Sequence, residues 1–211
     1  MKTDDLIRAL VVDGSRPIGT IGHGLFKALA LGCALSLGLA LMILHPRPDI
    51  GHAIYTLRFD FKLLVALILF CSTAILLTET ARPISTGRRG WTLIAAPALL
   101  AAGVVVELAI TPPESWAPRL VGHNASHCLS LIPLLSLPPL ACLLLALRSG
   151  APSYPVLAGA AAGLASGGLG ALLYAVTCPD DSPLFVATWY SIAIALVTAT
   201  SAMIGRRLLR W

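Results

Sequence analysis

Charged residues are scarce in this chain of 211 residues: Asp, Glu, Lys and Arg make up 12%, against 57% hydrophobic residues. A soluble domain carries about a quarter charged residues. The sequence therefore lacks the polar side chains that would cover a globule in water. Its opening segment, MKTDDLIRALVVDGSRP, also lacks the apolar run and cleavage site of a signal peptide. We expect an integral membrane protein whose first apolar helix stays in the bilayer.

Long apolar runs, in contrast, are abundant. A helix needs roughly 20 mostly apolar residues to cross the hydrocarbon of a bilayer. The sequence predicts an all-α protein with six such transmembrane helices, at 24–44, 61–80, 91–110, 128–147, 155–177 and 184–204. These helices form one transmembrane domain over 24–205, between a polar N-terminal segment over 1–23 and a basic tail over 206–211.

The distribution of Lys and Arg predicts the orientation of these helices. If both termini are cytoplasmic, all but four of the 15 Lys and Arg residues fall on the cytoplasmic side, the exceptions being Arg47, Arg58, Lys62 and Arg119. This agrees with the positive-inside rule. The basic runs TGRRG and GRRLLR lie where membrane topology places such residues, so the net charge of +5 does not indicate direct nucleic-acid binding.

Charge is missing from the middle of every predicted span. Ion and proton pathways place carboxylates or histidines near the bilayer midplane, so a small permease is the less favoured alternative function. Arg58, Asp60 and Lys62 crowd the outer start of the second span, and Glu107 lies near the outer end of the third. We expect structural ion pairs for these residues.

Two spans carry residues that shape helix packing. In the fifth span, small residues recur four apart at Gly159, Gly163 and Gly167. Such a face permits close backbone approach, either inside the bundle or across a homodimer seam. The Pro138–Pro139 pair should bend or open the fourth span. The Trp189–Tyr190 pair at the outer end of the sixth span is typical of interfacial anchors.

The five cysteines include no C-x-x-C pair, which disfavours a membrane thiol–disulfide oxidoreductase. Cys33, Cys71 and Cys142 lie inside spans and are expected to be packing residues. Cys128 opens the fourth span and Cys178 follows the fifth, so both lie at the outer face on antiparallel neighbours. A disulfide between these two is geometrically plausible.

Three interpretations of this outer pair remain open. The first is a redox-responsive pair. The second is a site for a soft metal ion, with His127, Asp180 and Asp181 as further ligands. The third is a pair of inert thiols.

The N-terminal segment has the pattern of a short amphipathic helix. Leu6, Ile7, Leu10 and Val11 form one apolar stripe. Membrane-surface helices tend to be rich in Lys and Arg, whereas the basic residues here are balanced by Asp4 and Asp5. Such a helix can lie on the bilayer, pack on the bundle or dock into a partner, and this balance of charge favours a protein partner over lipid.

The sequence resembles a known family, the NrsF-type bacterial membrane anti-sigma factors, which are negative regulators of a SigF-like extracytoplasmic-function sigma factor. The resemblance extends over nearly the whole chain, and its motifs in order are MKTDDLIRALVVDG, LRFDFKLL, ETARP, HCLSLIPLLSLPPL and CPDDSPLFVATWY.

The resemblance implies a regulator of the bacterial inner membrane that is not an enzyme. Its cytoplasmic parts, chiefly the N-terminus, would hold the sigma factor and release it under oxidative or heavy-metal stress. The paired cysteines of the family correspond to Cys128 and Cys178 in this sequence. No resident cofactor is implied, and a heavy-metal ion would bind only transiently.

Overall fold

The computed structural model describes residues 19–45, 47–80, 88–150 and 152–210, and all regular structure in these ranges is helical. The stripe formed by Leu6, Ile7, Leu10 and Val11 lies outside the described residues. The described part of the chain contains six helices long and apolar enough to cross a membrane, which confirms the predicted number. They are α1 (Gly19–Ile43), α2 (Leu57–Thr80), α3 (Gly90–Ile110), α4 (Ala125–Arg148), α5 (Pro155–Ala175) and α6 (Pro183–Leu208).

The helix α5 occupies the centre of the bundle, with α2, α4 and α6 packed around it. Its glycines let α6 approach closely. A Cβ at Gly163 would lie 2.8 Å from the Cα of Thr198, and one at Gly159 would lie 2.6 Å from the carbonyl oxygen of Ser201. Gly167 faces Ile194, which is also in α6. The glycine stripe is thus used inside one chain, which leaves this face no open surface for a second copy.

The helix α1 packs mainly on α4, at the second of the paired prolines. Because Pro139 has no N–H, the carbonyl oxygen of Leu135 lacks its usual helical donor. The hydroxyl of Ser36 in α1 donates to this oxygen at 2.5 Å. A Cβ at Gly32 would lie 2.5 Å from the Cα of Pro139, so the two backbones touch. The helix α4 continues through its prolines, and α1 packs against the face of α4 that carries Pro139.

Two expectations about single residues are wrong. Cys71 is exposed on the surface of the bundle, in the middle of α2, rather than packed in the core. Tyr190 is only 3% exposed and packs in the core, because it ends a π-helical turn over Val186–Tyr190 near the start of α6. A π turn holds more residues than an α turn, so it changes the face on which the following side chains lie.

The limits of α2 also differ from the prediction in a way that matters for function. The helix begins at Leu57 rather than at 61, so Arg58 and Lys62 lie on its first turns. Both form the ion pairs expected of them, Arg58 with Glu107 and Lys62 with Asp181. Lys62 is completely buried.

Candidate functional site

The two cysteines singled out in the sequence come together in one enclosed cluster. Cys128 lies in the first turn of α4, where its N–H donates to the carbonyl oxygen of Asn124 at 2.9 Å. Cys178 lies just beyond α5, and its N–H donates to the carbonyl oxygen of Tyr174 at 3.1 Å. Both side chains are free thiols, 0% and 1% exposed, within the same buried core. Both thiols lie at the same end of the bundle and are enclosed in its core.

Three aromatic side chains enclose the thiols. The ring centroids of Tyr174 and Tyr190 lie 5.9 Å apart, and those of Phe185 and Tyr190 lie 6.3 Å apart. Both tyrosines pack in the same buried core as the Cys178 thiol. We refer to Cys128, Cys178, Tyr174, Phe185 and Tyr190 as the thiol cluster. Sequence reasoning missed all three aromatic members, and for Tyr190 the reason is the π turn that buries it, which leaves no clear signal in the sequence.

An ion-pair network lies directly beside the thiol cluster. The Lys62 ammonium donates to the Asp181 carboxylate at 2.5 Å and to the carbonyl oxygen of Cys178 at 2.8 Å. The Arg47 guanidinium donates to Asp181 at 2.9 Å and to the same Cys178 oxygen at 3.3 Å. Both cations lie against the ring of Phe59, at 5.6 and 5.7 Å from its centroid. We refer to Arg47, Lys62 and Asp181 as the clamp.

Arg47 also forms a bidentate pair with Asp49, with both N–O distances 2.7 Å. These hydrogen bonds lower the pKa of Asp49 to about 2 and raise that of Arg47. A bidentate carboxylate fixes the plane of a guanidinium. Asp49 therefore orients Arg47 toward the Cys178 segment.

Asp180 ties the Cys178 segment to the start of α4. Its Oδ2 atom accepts hydrogen bonds from the N–H groups of His123 and Asn124 at 3.1 and 3.0 Å, and from the Asn124 side chain at 3.0 Å. Gly122, with φ of 59°, makes the turn that presents these groups. A Cβ there would lie 2.5 Å from the Phe185 ring, so the position requires glycine.

A second buried carboxylate stabilises the same end of the bundle. Glu107 is 2% exposed and pairs with Arg58 at 3.1 Å and with Arg119 at 2.6 Å. These contacts join α3, the start of α2 and the short helix Trp116–Val121. The pairs lie outside the thiol cluster and serve as structural supports.

Burial decides the chemistry of the thiols. It raises the pKa of the Cys178 thiol, an effect that the nearby Lys62 ammonium opposes. Cys178 is therefore a neutral thiol at physiological pH. A neutral thiol in an enclosed site is slow to react with charged reagents and depends on small neutral ones or on opening of the site.

The other candidate metal ligands are placed differently. His127 is exposed, and the carboxylates of Asp180 and Asp181 are engaged by amides and cations respectively. Within the described ranges, the structure brings together no group of three or more His, Cys, Asp and Glu side chains that could hold a metal ion.

The geometry defines a class of protein: an all-helical chain of the kind that spans membranes, with an enclosed thiol pair at one end. Comparison with known proteins narrows this class. The model of the family described as negative regulator of sigma F matches residues 14–211. The chain belongs to this family, NrsF, and is an anti-sigma factor, regulatory rather than catalytic.

Two curated relatives align with the whole chain over their own full length. The anti-sigma-F factor NrsF of Caulobacter vibrioides is 38% identical over 214 residues, and the probable anti-sigma-F factor NrsF of Azospira oryzae is 29% identical over 219 residues. No solved structure matches the chain.

Proposed function

We propose that this protein resides in the bacterial inner membrane with both termini in the cytoplasm. There it holds an extracytoplasmic-function sigma factor on its N-terminal segment and releases it when Cys128 and Cys178 are oxidised. Membership of the sigma F regulator family supports the sigma factor as partner. The enclosed thiol pair is the observation that supports the sensing function.

The charges at the two ends of the bundle support the proposed orientation. At the thiol end, the four cations Arg47, Arg58, Lys62 and Arg119 are each paired with a carboxylate. The opposite end carries Arg148 at the end of α4 and Arg206 and Arg207 in the last turn of α6. With alternating helices, all but four of the 15 Lys and Arg residues fall on the side opposite the thiol cluster, and the positive-inside rule makes that side cytoplasmic. The thiol cluster would then lie at the oxidising outer face.

The stripe of Leu6, Ile7, Leu10 and Val11 is the proposed docking face for the sigma factor. Changing these four residues to serine in the full chain should abolish co-purification of the sigma factor from detergent-solubilised membranes. Arg8→Gln, on the polar side of the same segment, is the matched control and should keep binding. Equal binding by all three proteins would show that the docking face lies elsewhere.

The sensing step is the oxidation of two thiols to one disulfide. With a neutral peroxide such as hydrogen peroxide, an S–S bond forms and the O–O bond breaks. The two thiols lose two electrons and two protons, and two water molecules leave. A disulfide contributes about 2–4 kcal/mol, whereas a shift from 1:99 to 99:1 needs about 5.5 kcal/mol. Oxidation of this pair therefore shifts the populations of the bound and released states strongly, but by less than the full change from 1:99 to 99:1.

The experiment is release of bound sigma factor from membrane vesicles on addition of peroxide. Wild-type protein should release it, whereas the protein with Cys128→Ser and Cys178→Ser should retain it. The alternative signal, capture of a soft metal ion by the same two sulfurs, would release two protons instead of electrons. Intact-mass analysis separates the two signals, because oxidation removes two hydrogens and capture adds the mass of the metal. Normal release by the double serine variant would exclude both.

A further inference from the structure

The main chain of Cys178 is held by two buried cations that come from other parts of the bundle. Its carbonyl oxygen accepts hydrogen bonds from Lys62 in α2 and from Arg47, which follows the end of α1. Asp181 binds both cations through its carboxylate. Cys178 is thus attached electrostatically to α2 and to the segment that follows α1.

The burial of these cations makes the attachment sensitive to displacement. The side chains of Lys62 and Arg47 are 0% and 5% exposed. A buried cation that loses its partners is strongly destabilising, because no water replaces them. In the described part of the chain, Asp181 is the carboxylate partner of Lys62. If the Cys178 segment moves, Lys62 and Arg47 must follow it or reach water.

Disulfide formation is the displacement that the clamp would transmit. The thiols of Cys128 and Cys178 lie on different elements, and a disulfide fixes their Cα atoms at about 5.5–6 Å with a specific torsion. The carbonyl oxygen bound by the clamp belongs to Cys178 itself, so a new position of its sulfur bears directly on the clamp. Asp180 holds the segment to α4, where Cys128 lies. The segment is thus held at two places, by the start of α4 and by the clamp.

The helix α1 connects the clamp to the opposite end of the molecule. It contains 25 residues, which span roughly 37 Å at 1.5 Å per residue. Arg47 lies beyond its last turn, and the N-terminal segment precedes its first. A displacement of Arg47 therefore acts on the helix that leads to the proposed docking segment.

We propose that the clamp of Arg47, Lys62 and Asp181 is the device that couples the oxidation state of Cys178 to α1, and so to release of the sigma factor. The proposal rests on the proposed function. Arg47 and Lys62 are positioning residues here: they hold the main chain of Cys178 and transmit its displacement, and they take no part in the oxidation.

The test uses the full chain in membrane vesicles with its sigma factor bound. Arg47→Gln removes the link to α1 without leaving a buried cation unpaired, because Asp181 keeps Lys62 and Asp49 is half exposed. Lys62→Met is the second variant, in which Asp181 keeps Arg47. Arg58→Gln is the matched control, since it removes another cation at the same end while Glu107 keeps Arg119.

We expect the reduced forms of all three variants to hold the sigma factor, and peroxide to form the disulfide in each of them, as shown by intact mass. Once oxidised, Arg47→Gln and Lys62→Met should each release at least about five-fold less sigma factor than the wild-type protein. Arg58→Gln should release as much as the wild-type protein. Lys62→Met decides the question if Arg47→Gln does not fold.

Two results would overturn the coupling. One is normal release by both clamp variants in their oxidised form. The other is release from the reduced variants, which would make the clamp a support of the resting state only. Failure of the proposed function itself looks different, because oxidised wild-type protein would then retain the sigma factor.

Discussion

The clamp makes a quantitative prediction about folding stability. Asp181→Asn keeps the shape of the side chain and removes the charge that compensates Lys62 and Arg47. Lys62 is 0% exposed and would keep only neutral acceptors, whereas Arg47 would keep Asp49. Breaking a buried pair by removal of one partner costs about 3–5 kcal/mol. Because Arg47 is still compensated, we expect the lower limit, about 3 kcal/mol, which is roughly a hundred-fold change in the unfolding equilibrium.

The assay is reversible unfolding of the full chain in mixed micelles, with helix content followed by circular dichroism. Asp60→Asn is the control, because Asp60 is exposed on the same turns of α2, and it should change the free energy of unfolding by no more than about 0.5 kcal/mol. Adding Lys62→Met to Asp181→Asn removes the orphaned cation and should recover at least about 1 kcal/mol. The reasoning is refuted if Asp181→Asn unfolds within about 1 kcal/mol of wild type, or if the double variant is less stable than Asp181→Asn alone.

Three further predictions concern packing and the thiol. Gly163→Ala puts a Cβ 2.8 Å from the α6 backbone and should cost about 1–3 kcal/mol in the same unfolding assay, whereas Gly38→Ala, with nothing within 4 Å, should cost nothing; equal effects would contradict the α5–α6 contact. Ser36→Ala leaves the Leu135 oxygen without its α1 donor and should cost about 1 kcal/mol; an unchanged free energy of unfolding would contradict this. Because burial raises the pKa of the Cys178 thiol, its thiolate fraction at pH 8 is low, and iodoacetamide should modify it far more slowly in the native protein than in SDS. Equal rates by peptide mass spectrometry would show that the thiol is accessible.

The number and approximate position of the helices could be predicted because both depend on local hydropathy. Runs of about 20 apolar residues set the number of helices, and the alternation of helix direction put Cys128 and Cys178 at one end before any contact was known. Their presence in one buried cluster agrees with that prediction. That the two cysteines form a disulfide or bind a soft metal stays a prediction, as does docking of the sigma factor on the N-terminal stripe.

The clamp and the two tyrosines could not be predicted from the sequence because they depend on tertiary contacts. Lys62 and Asp181 are 119 positions apart, and no local pattern pairs them. A lysine at the start of a span is expected to reach toward water, yet Lys62 is enclosed because Asp181 and the Cys178 carbonyl satisfy it. Tyr190 follows the pattern of an interfacial anchor, and the π turn overrides that pattern.

The most direct test of the account relates the disulfide to release. Vesicles that hold the full chain and its bound sigma factor are oxidised in steps. At each step the fraction of protein with a Cys128–Cys178 disulfide is measured by mass spectrometry, and the free sigma factor is measured in the supernatant. The account predicts that the released fraction of sigma factor rises in parallel with the disulfide fraction. It also predicts that the sigma factor binds again when dithiothreitol reduces the disulfide. Complete disulfide formation with the sigma factor still bound would contradict it.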